Sequence, residues 1–307
     1  MFWKKKNKNA EEHYQNETAT DNGELSVLKV VIKTDLGNVR TNNEDAASFF
    51  KMNDEKLLRE KGYLLIVADG MGGHAAGEVA SNMAVEIISQ EYYKENKEAN
   101  TEKILAKAFN TANKKIFDLA SANDKYRGMG TTCTAIVVLG TSIYYAHAGD
   151  SRAYLYTNKK IIQLTQDHTY VQELVNSGAI TAHEAETHPQ RNILINAMGT
   201  KPGMRVDTGK YNSPLKENNR LMICSDGLYD YLSDDEIAEI MNIDVLDNVA
   251  DYFIAEAKKR GGKDNITVAL AEKIVEKMEP VQETNLKLTR DVDLPKLTRD
   301  ADMPSGY

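Results

Sequence analysis

Apolar positions along the chain change their period several times, and each change marks an element. From Val27 onward they fall into short β-type runs, SVLKVVIKT, DAASFFKM and GYLLIVAD. The last is apolar almost throughout, the pattern of a strand covered on both faces, and predicts a central strand. A helix is expected after it, because AAGEVASNMAVEIISQ opens with small residues and carries apolar positions at helical spacing. The stretch 101 to 121 puts Ile104, Ala108, Ala112, Ile116 and Leu119 on one face, so a second helix is predicted, packed with the first on a sheet. Four short runs follow, TTCTAIVVLG, SIYYAHAG, RAYLYTN and KIIQLT, separated by Gly, Asp-Ser or Asn-Lys turn signals, which predicts an antiparallel meander.

Between Gln166 and Met204 the pattern turns helical and loop-like, with Thr181 and Glu184 at capping-box spacing, and reads as an insertion over the sheet edge. The C-terminal part predicts a strand at RLMICSD, a helix opened by the Ser233-x-x-Glu236 box, a second helix from about Val245 to Lys259, and a strand at NITVALAE. Strands and helices come in blocks, so the fold class is α+β. Residues 1–24 are polar and without hydrophobic period and are expected to be a disordered arm; 25–278 form one domain; 279–307 are expected to be a disordered tail. That tail carries a short repeat, KLTRDVDLP and KLTRDADMP, open between a solvated tail and a docking or phosphorylation site at Thr289 and Thr298.

Composition narrows the function classes. The formal charge is -8 and no Lys/Arg stripe is interleaved with aromatics, which argues against nucleic acid as a partner. The longest apolar runs, YLLIVA and TAIVVLG, fall short of the roughly 20 residues of a membrane helix, and the N-terminal segment lacks the apolar core of an export signal. A soluble cytoplasmic chain that does not enter a membrane is therefore expected. Cys133 and Cys224 lie in apolar runs and read as reduced and buried. Neither starts a Cys-x5-Arg loop, because Leu139 and Asp230 stand six positions on, so thiol-based phosphoryl chemistry is disfavoured.

Four aspartates stand at or just past the ends of apolar strands, each near a glycine: Asp69, Asp150, Asp226 and Asp264. Any one alone reads as a turn former. Four together, with Glu44 and Asp45, read better as carboxylates gathered at one sheet edge, where their repulsion is tolerable only with cations among them. All these donors are oxygens, which suits Mg2+ or Mn2+ rather than zinc, and no calcium-loop pattern is present. The run G70-M-G-G-H-A75 after an apolar strand matches a dinucleotide-binding turn, which keeps a nucleotide-dependent oxidoreductase open as an alternative. Asp69 beside the pyrophosphate position speaks against that alternative.

Taken in order, VRTNNEDA, VADGMGGHAAGEVAS, GTTCTAIVV, AHAGDSRAYL, LTQDH, NAMGT, CSDGLYD and KDNITV resemble the metal-dependent Ser/Thr protein phosphatases of type 2C, in their bacterial branch, over about residues 27 to 271. The resemblance implies a four-layer α/β/β/α sandwich with two central antiparallel sheets. It implies hydrolysis of phosphoserine and phosphothreonine in proteins at a site with two Mn2+ or Mg2+ ions, by a water or hydroxide held between them. By the same resemblance, Asp69 bridges the two ions, the Gly70 carbonyl joins one of them, and Asp226 and Asp264 complete the ligands of the first ion. Glu44 and Asp45 steady the second ion directly or through waters, and Asp150 shares a third, weaker ion with Asp226. Arg40 resembles the phosphate-holding arginine. His74 stands where either a proton donor or a structural histidine fits, whereas His147, between apolar strand residues, reads as a core or edge histidine. Residues 166 to 204 correspond to a flap beside the active site. Expected partners are phosphorylated proteins, either kinase substrates or an opposing bacterial Ser/Thr kinase itself, and the chain is expected to be a monomer. A catalytically inactive module that binds phosphoproteins is the competing class, and the complete set of aspartates speaks against it.

Overall fold

The central strands of this chain are apolar on both faces and are covered on both faces. The computed structural model describes residues 10–14, 17–19, 25–72, 75–94 and 100–276. One sheet contains β1 (Ala10–Tyr14), β2 (Glu17–Ala19), β3 (Leu25–Asp35), β9 (Arg152–Thr157), β10 (Lys160–Gln163), β12 (Arg220–Cys224) and β13 (Ile266–Glu276), in the order β1-β3-β13-β12-β9-β10 with β2 also on β3. The other contains β4 (Asp45–Phe50), β5 (Tyr63–Met71), β6 (Gly130–Thr131), β7 (Cys133–Leu139), β8 (Ser142–Ala148) and β11 (Asp207–Lys210), in the order β11-β8-β7-β5-β4 with β6 on β5. Among the described residues the strand pairings in both sheets are antiparallel.

Helices α2 (Ala75–Lys94) and α3 (Thr101–Ala122) cover the second sheet, and α7 (Asp234–Met241) and α8 (Leu246–Lys259) cover the first. Among the described residues the other α-helices are α1 (Glu55–Lys61), α4 (Tyr170–Asn176), α5 (Ala182–Glu186) and α6 (Asp226–Tyr229). The layer sequence is the expected α/β/β/α sandwich, and the strands show why. On β5, Leu64, Ile66 and Ala68 pack under α2 and α3, while Tyr63, Leu65 and Val67 pack between the sheets. On β12, Leu221 and Ile223 face the other sheet while Met222 and Cys224 face the α7–α8 layer. Period-2 geometry thus divides each apolar run between two cores. Each fully buried Leu or Ile contributes about 1.5–3 kcal/mol relative to exposure.

The structure departs from the sequence pattern at three places. The expected meander breaks after β8: β7 and β8 pair in one sheet, whereas β9 and β10 pair in the other. The chain changes sheets at Gly149–Asp150–Ser151, a crossing that a local turn signal does not distinguish from a hairpin. Part of the polar arm, expected to lack structure, pairs instead: β1 and β2 lie along β3. An edge strand presents backbone donors and acceptors whatever the polarity of its partner's side chains, which is why hydrophobic period gave no sign of it. Helix α1 has a highly charged sequence and is set by the Asp54 cap, whose carboxylate accepts from the Leu57 amide at 2.8 Å. The expected tail, 279–307, lies outside the described residues. Both capping boxes are formed, at Thr181 and Ser233, and both cysteines are buried and free.

Candidate active site

The antiparallel register of β4 and β5 sets Asp45 directly opposite Asp69. Asp226 opens α6 immediately after β12, and Asp264 stands two residues before β13, the neighbour of β12. Asp150 sits in the crossing between the sheets. Carboxylates from both sheets therefore converge at one end of the sandwich, as the strand-end reading expects. There, a cavity of about 340 Å³ is lined by Arg40, Glu44, Asp69, Gly70, Asp150, Asp226 and Asp264.

Asp45 is not among the residues lining that cavity. Its Oδ2 accepts from the Ser225 hydroxyl at 2.9 Å, and Ser225 Oγ accepts from the Thr267 amide at 3.0 Å, so Asp45 stands behind the cavity wall and is held from the other sheet. Glu44 is fixed through its backbone: its amide donates to Asn265 Oδ1 at 2.8 Å, and its carbonyl accepts from Gly70 N and Ser81 Oγ. His74 lies outside the described residues.

Gly70 and Gly77 allow the start of α2 to lie on the end of β5. A Cβ on Gly70 would stand 2.2 Å from the Gly77 carbonyl oxygen and 2.5 Å from that of Glu44; one on Gly77 would stand 2.6 Å from Glu44 Oε2. Real Cβ atoms do not approach so closely, so both positions exclude a side chain on packing grounds.

The electrostatics are those of buried carboxylates whose charge is unfavourable unless protons or cations offset it. Burial pushes the Asp45 carboxyl up to about 6, against the hydroxyls of Thr267 and Ser225, and pushes Asp150 up to about 7 with help from Asp167. Asp69 and Asp226 are raised well above the ordinary carboxylate range, first by burial and then by their acidic neighbours. Asp226 Oδ1 is buried with no hydrogen-bond partner among the described residues. A buried carboxylate oxygen left without a donor is costly, and a divalent ion is the partner that an all-oxygen cluster accepts. Among the described residues no three such groups are already drawn to the spacing of a closed ligand cage. The fit to a cation therefore rests on the donor set, its burial and the orphaned oxygen.

Arg40 lies at the cavity with its Nη2 2.6 Å from Asp264 Oδ2. Several lining residues escaped the sequence reading: Met71, Gly72, Thr132, Asn192, Leu194 and Asn265. Thr132 ties the Asp69 strand to the sheet crossing, since its Oγ1 accepts from Asp69 N at 3.1 Å and bonds Ser151 Oγ at 2.6 Å. Asn265 braces the loop that leads to Glu44, donating to the carbonyls of Leu36 and Asn42. Neutral side chains inside motifs carry no charge signal, so only their neighbours to the acidic residues hinted at them. Asn192 and Leu194 bring segment 166–204 to the cavity, as expected of a flap. His147 is fully buried, its Nδ1 2.8 Å from Thr134 Oγ1 and its Nε2 without a partner among the described residues, as a core histidine only half satisfied.

Comparison with known proteins adds to this geometry. The family model for protein phosphatase 2C matches residues 40–271. The serine/threonine phosphatase stp of Listeria monocytogenes is 39% identical over 245 residues, which are 78% of this chain and 94% of that protein. The solved structure of the S. agalactiae serine/threonine phosphatase aligns with a TM-score of 0.73 at 37% identity, covering 81% of this chain and 100% of that one. The catalytic domain of the serine threonine protein phosphatase PstP, solved with two manganese ions, aligns with a TM-score of 0.67 at 33% identity, covering 81% of this chain and 99% of that one.

Proposed function

Because the chain belongs to the protein phosphatase 2C family, we propose that it removes phosphate from phosphoserine and phosphothreonine in proteins, using Mn2+ or Mg2+ at the cavity between the sheet ends. The observation that carries this reading is the convergence of buried carboxylates from both sheets on one cavity with a guanidinium beside them. Asp69, Asp226, Asp264 and the Gly70 carbonyl are assigned to hold the ions, with Glu44 and Asp45 steadying the second and Asp150 sharing a third with Asp226. Such ions supply charge that activates water near neutral pH and offsets charge on phosphoryl oxygens.

The chain's own groups do the rest. Arg40 offers its planar fork to two phosphate oxygens and orients phosphorus toward the carboxylate cluster. Thr132, Ser225 and Asn265 fix the strands that carry the ligands. His74 is assigned the proton that the departing Ser/Thr oxygen requires. Residues 25–278 are taken as the catalytic domain, with β1 and β2 of the arm 1–24 joined to the edge of its sheet and the tail 279–307 outside it. Among the described residues no helix is long and apolar enough to cross a membrane. We assign a cytoplasmic, monomeric phosphatase that opposes a Ser/Thr kinase, on whose substrates, or on the kinase itself, it acts.

Phosphate release from a phosphothreonine peptide tests the assignment: turnover is expected with Mn2+ or Mg2+ and none with chelator. Inactivity under all three conditions would sink it.

Metal should also act on stability, with a defined pH sign. A carboxyl raised in the folded state, such as Asp45 at about 6 or Asp150 at about 7, favours the fold while protonated and loses that contribution as pH rises through its folded value. With chelator, this term makes the chain melt earlier as pH goes from 5 to 8. His147, lowered to about 3 by burial, works oppositely: its contribution is present above about 6.5 and is lost as pH falls below it. Comparing melting with and without Mn2+ cancels the histidine. The Mn2+-dependent rise is expected to reach on the order of 5–10 °C at saturating ion near pH 8 and to shrink toward pH 5. Calorimetry across that range checks it; a rise independent of pH would contradict it.

A further inference from the structure

Two adjacent residues of the LTQDH run, Asp167 and His168, lie outside the cavity lining, yet both are buried. Each bonds to the sheet crossing or to a residue beside it. The His168 amide donates to the Gly149 carbonyl at 2.7 Å, and the Gly149 amide donates back to His168 Nδ1 at 3.2 Å. Gly149 has φ +119, and a Cβ there would stand 2.4 Å from that of Thr132, so this turn has one tight seat. Asp167 takes Arg152 in a forked pair, from Nε at 3.1 Å and Nη2 at 2.7 Å. The Arg152 guanidinium lies 3.7 Å from the Tyr229 ring centre, and the Tyr229 hydroxyl donates to the Asp150 carbonyl at 3.1 Å. Asp150 is thus flanked by grips that trace back to neighbouring residues.

The same histidine, near the start of the flap segment, also bonds to that segment's far part. Asn196 Nδ2 stands 2.7 Å from His168 Nδ1, and the Ile195 amide donates to the His168 carbonyl at 3.0 Å. The orientation of the Asn196 amide is set by its pair of bonds to the backbone of Arg205. His168 Nε2 stands 3.2 Å from Asp207 Oδ2, itself bonded to Arg205. With Nε2–H donating to Asp207, the single Nδ1 lone pair of the neutral ring accepts chiefly from Asn196 and is shared with the more distant Gly149 amide. Leu194 and Asn192, next along the flap, line the cavity.

We propose that Asp167 and His168, near the start of the flap segment, are positioning residues that hold the Gly149–Ser151 crossing with Asp150 at the cation cluster and tie it to Ile195 and Asn196 of the flap. This rests on the reading of Asp150 as a cation ligand. Ligands held from behind in this manner typically lose about 10–100-fold in metal affinity or activity when the supporting group is removed.

The test uses the full chain with His168→Leu, His168→Asn, Asp167→Asn and Asp150→Asn. Asn keeps an acceptor near the position of Nδ1, so His168→Asn should rescue what His168→Leu loses. In His168→Leu the Mn2+ concentration for half-maximal phosphate release, and the calorimetric affinity for Mn2+, should shift at least about tenfold. The amides of Gly149 and Ile195 should exchange hydrogen at least about tenfold faster. In an Asp150→Asn background, His168→Leu should add no further Mn2+ shift, because the two act through one ligand. Unchanged Mn2+ affinity and amide exchange in a folded His168→Leu chain, or additive shifts in the double variant, would overturn the inference. Should His168→Leu fail to fold, Asp167→Asn, nearly isosteric, decides by the same readouts. A wild-type chain without metal-dependent turnover would overturn the phosphatase reading instead, and amide exchange would still decide the positioning role.

Discussion

Replacing Asp226 with Asn is expected to lower phosphate release from a phosphothreonine peptide by about a thousandfold, equivalent to roughly 4 kcal/mol of transition-state stabilisation. Asn keeps the shape but removes the charge that a divalent ion needs. Asp69→Asn should match it, since both carboxylates line the cavity and both are strained by their acidic neighbours. The effect on stability should have the opposite sign. Asp226 Oδ1 is buried without a hydrogen-bond partner among the described residues, and Asp150 and Asp264 repel its charge. A neutral amide relieves that repulsion, so with chelator present the Asp226→Asn chain should melt a few degrees above the parent, on the scale of about 2–4 °C per kcal/mol. Turnover and calorimetry on the same preparations check both signs. An inactive variant that also melts earlier would mark Asp226 as a structural carboxylate rather than a ligand.

The opposition between activity and stability explains what the sequence could and could not reveal. Carboxylates at strand ends are legible because such residues are out of place beside an apolar run: Asp69 after LLIVA and Asp226 after LMICS need a reason. The alternation that builds three cores was equally legible, since Leu64 and Leu65 must face opposite ways in any strand. Register and sheet membership were not. Nothing local states that β8 and β9 belong to different sheets, because the crossing at Gly149–Asp150 has the composition of a hairpin turn. Nor does a period reveal β1, whose partner is chosen by backbone hydrogen bonding along the edge of β3. The supporting residues were hidden for another reason. Thr132, Ser225 and Asn265 hold Asp69, Asp45 and Glu44 by hydrogen bonds across 63, 180 and 221 positions of sequence, distances at which no spacing rule applies.

Arg40 offers a second large effect, separable from the first by what it leaves intact. Its side chain is half exposed and its Nη2 lies 2.6 Å from Asp264 Oδ2, at the cavity that would receive the phosphate. Charge-assisted hydrogen bonds of this kind are worth about 1.5–3 kcal/mol each. Arg40→Ala should therefore lower kcat/KM by about a hundredfold, chiefly through KM if the contact is made equally to bound substrate and transition state. Arg40→Lys, which keeps the charge but loses the fork, should recover only part of this. Mn2+ affinity should move the other way. The guanidinium occupies Asp264 Oδ2, so it competes with a cation for that oxygen, and its removal should leave the affinity equal or tighter. A steady-state series in both variants, with calorimetric Mn2+ titration alongside, distinguishes the roles. Weaker Mn2+ binding in Arg40→Ala would mean that the arginine positions Asp264 for the ion, and that its pull on phosphate is the smaller part of its work.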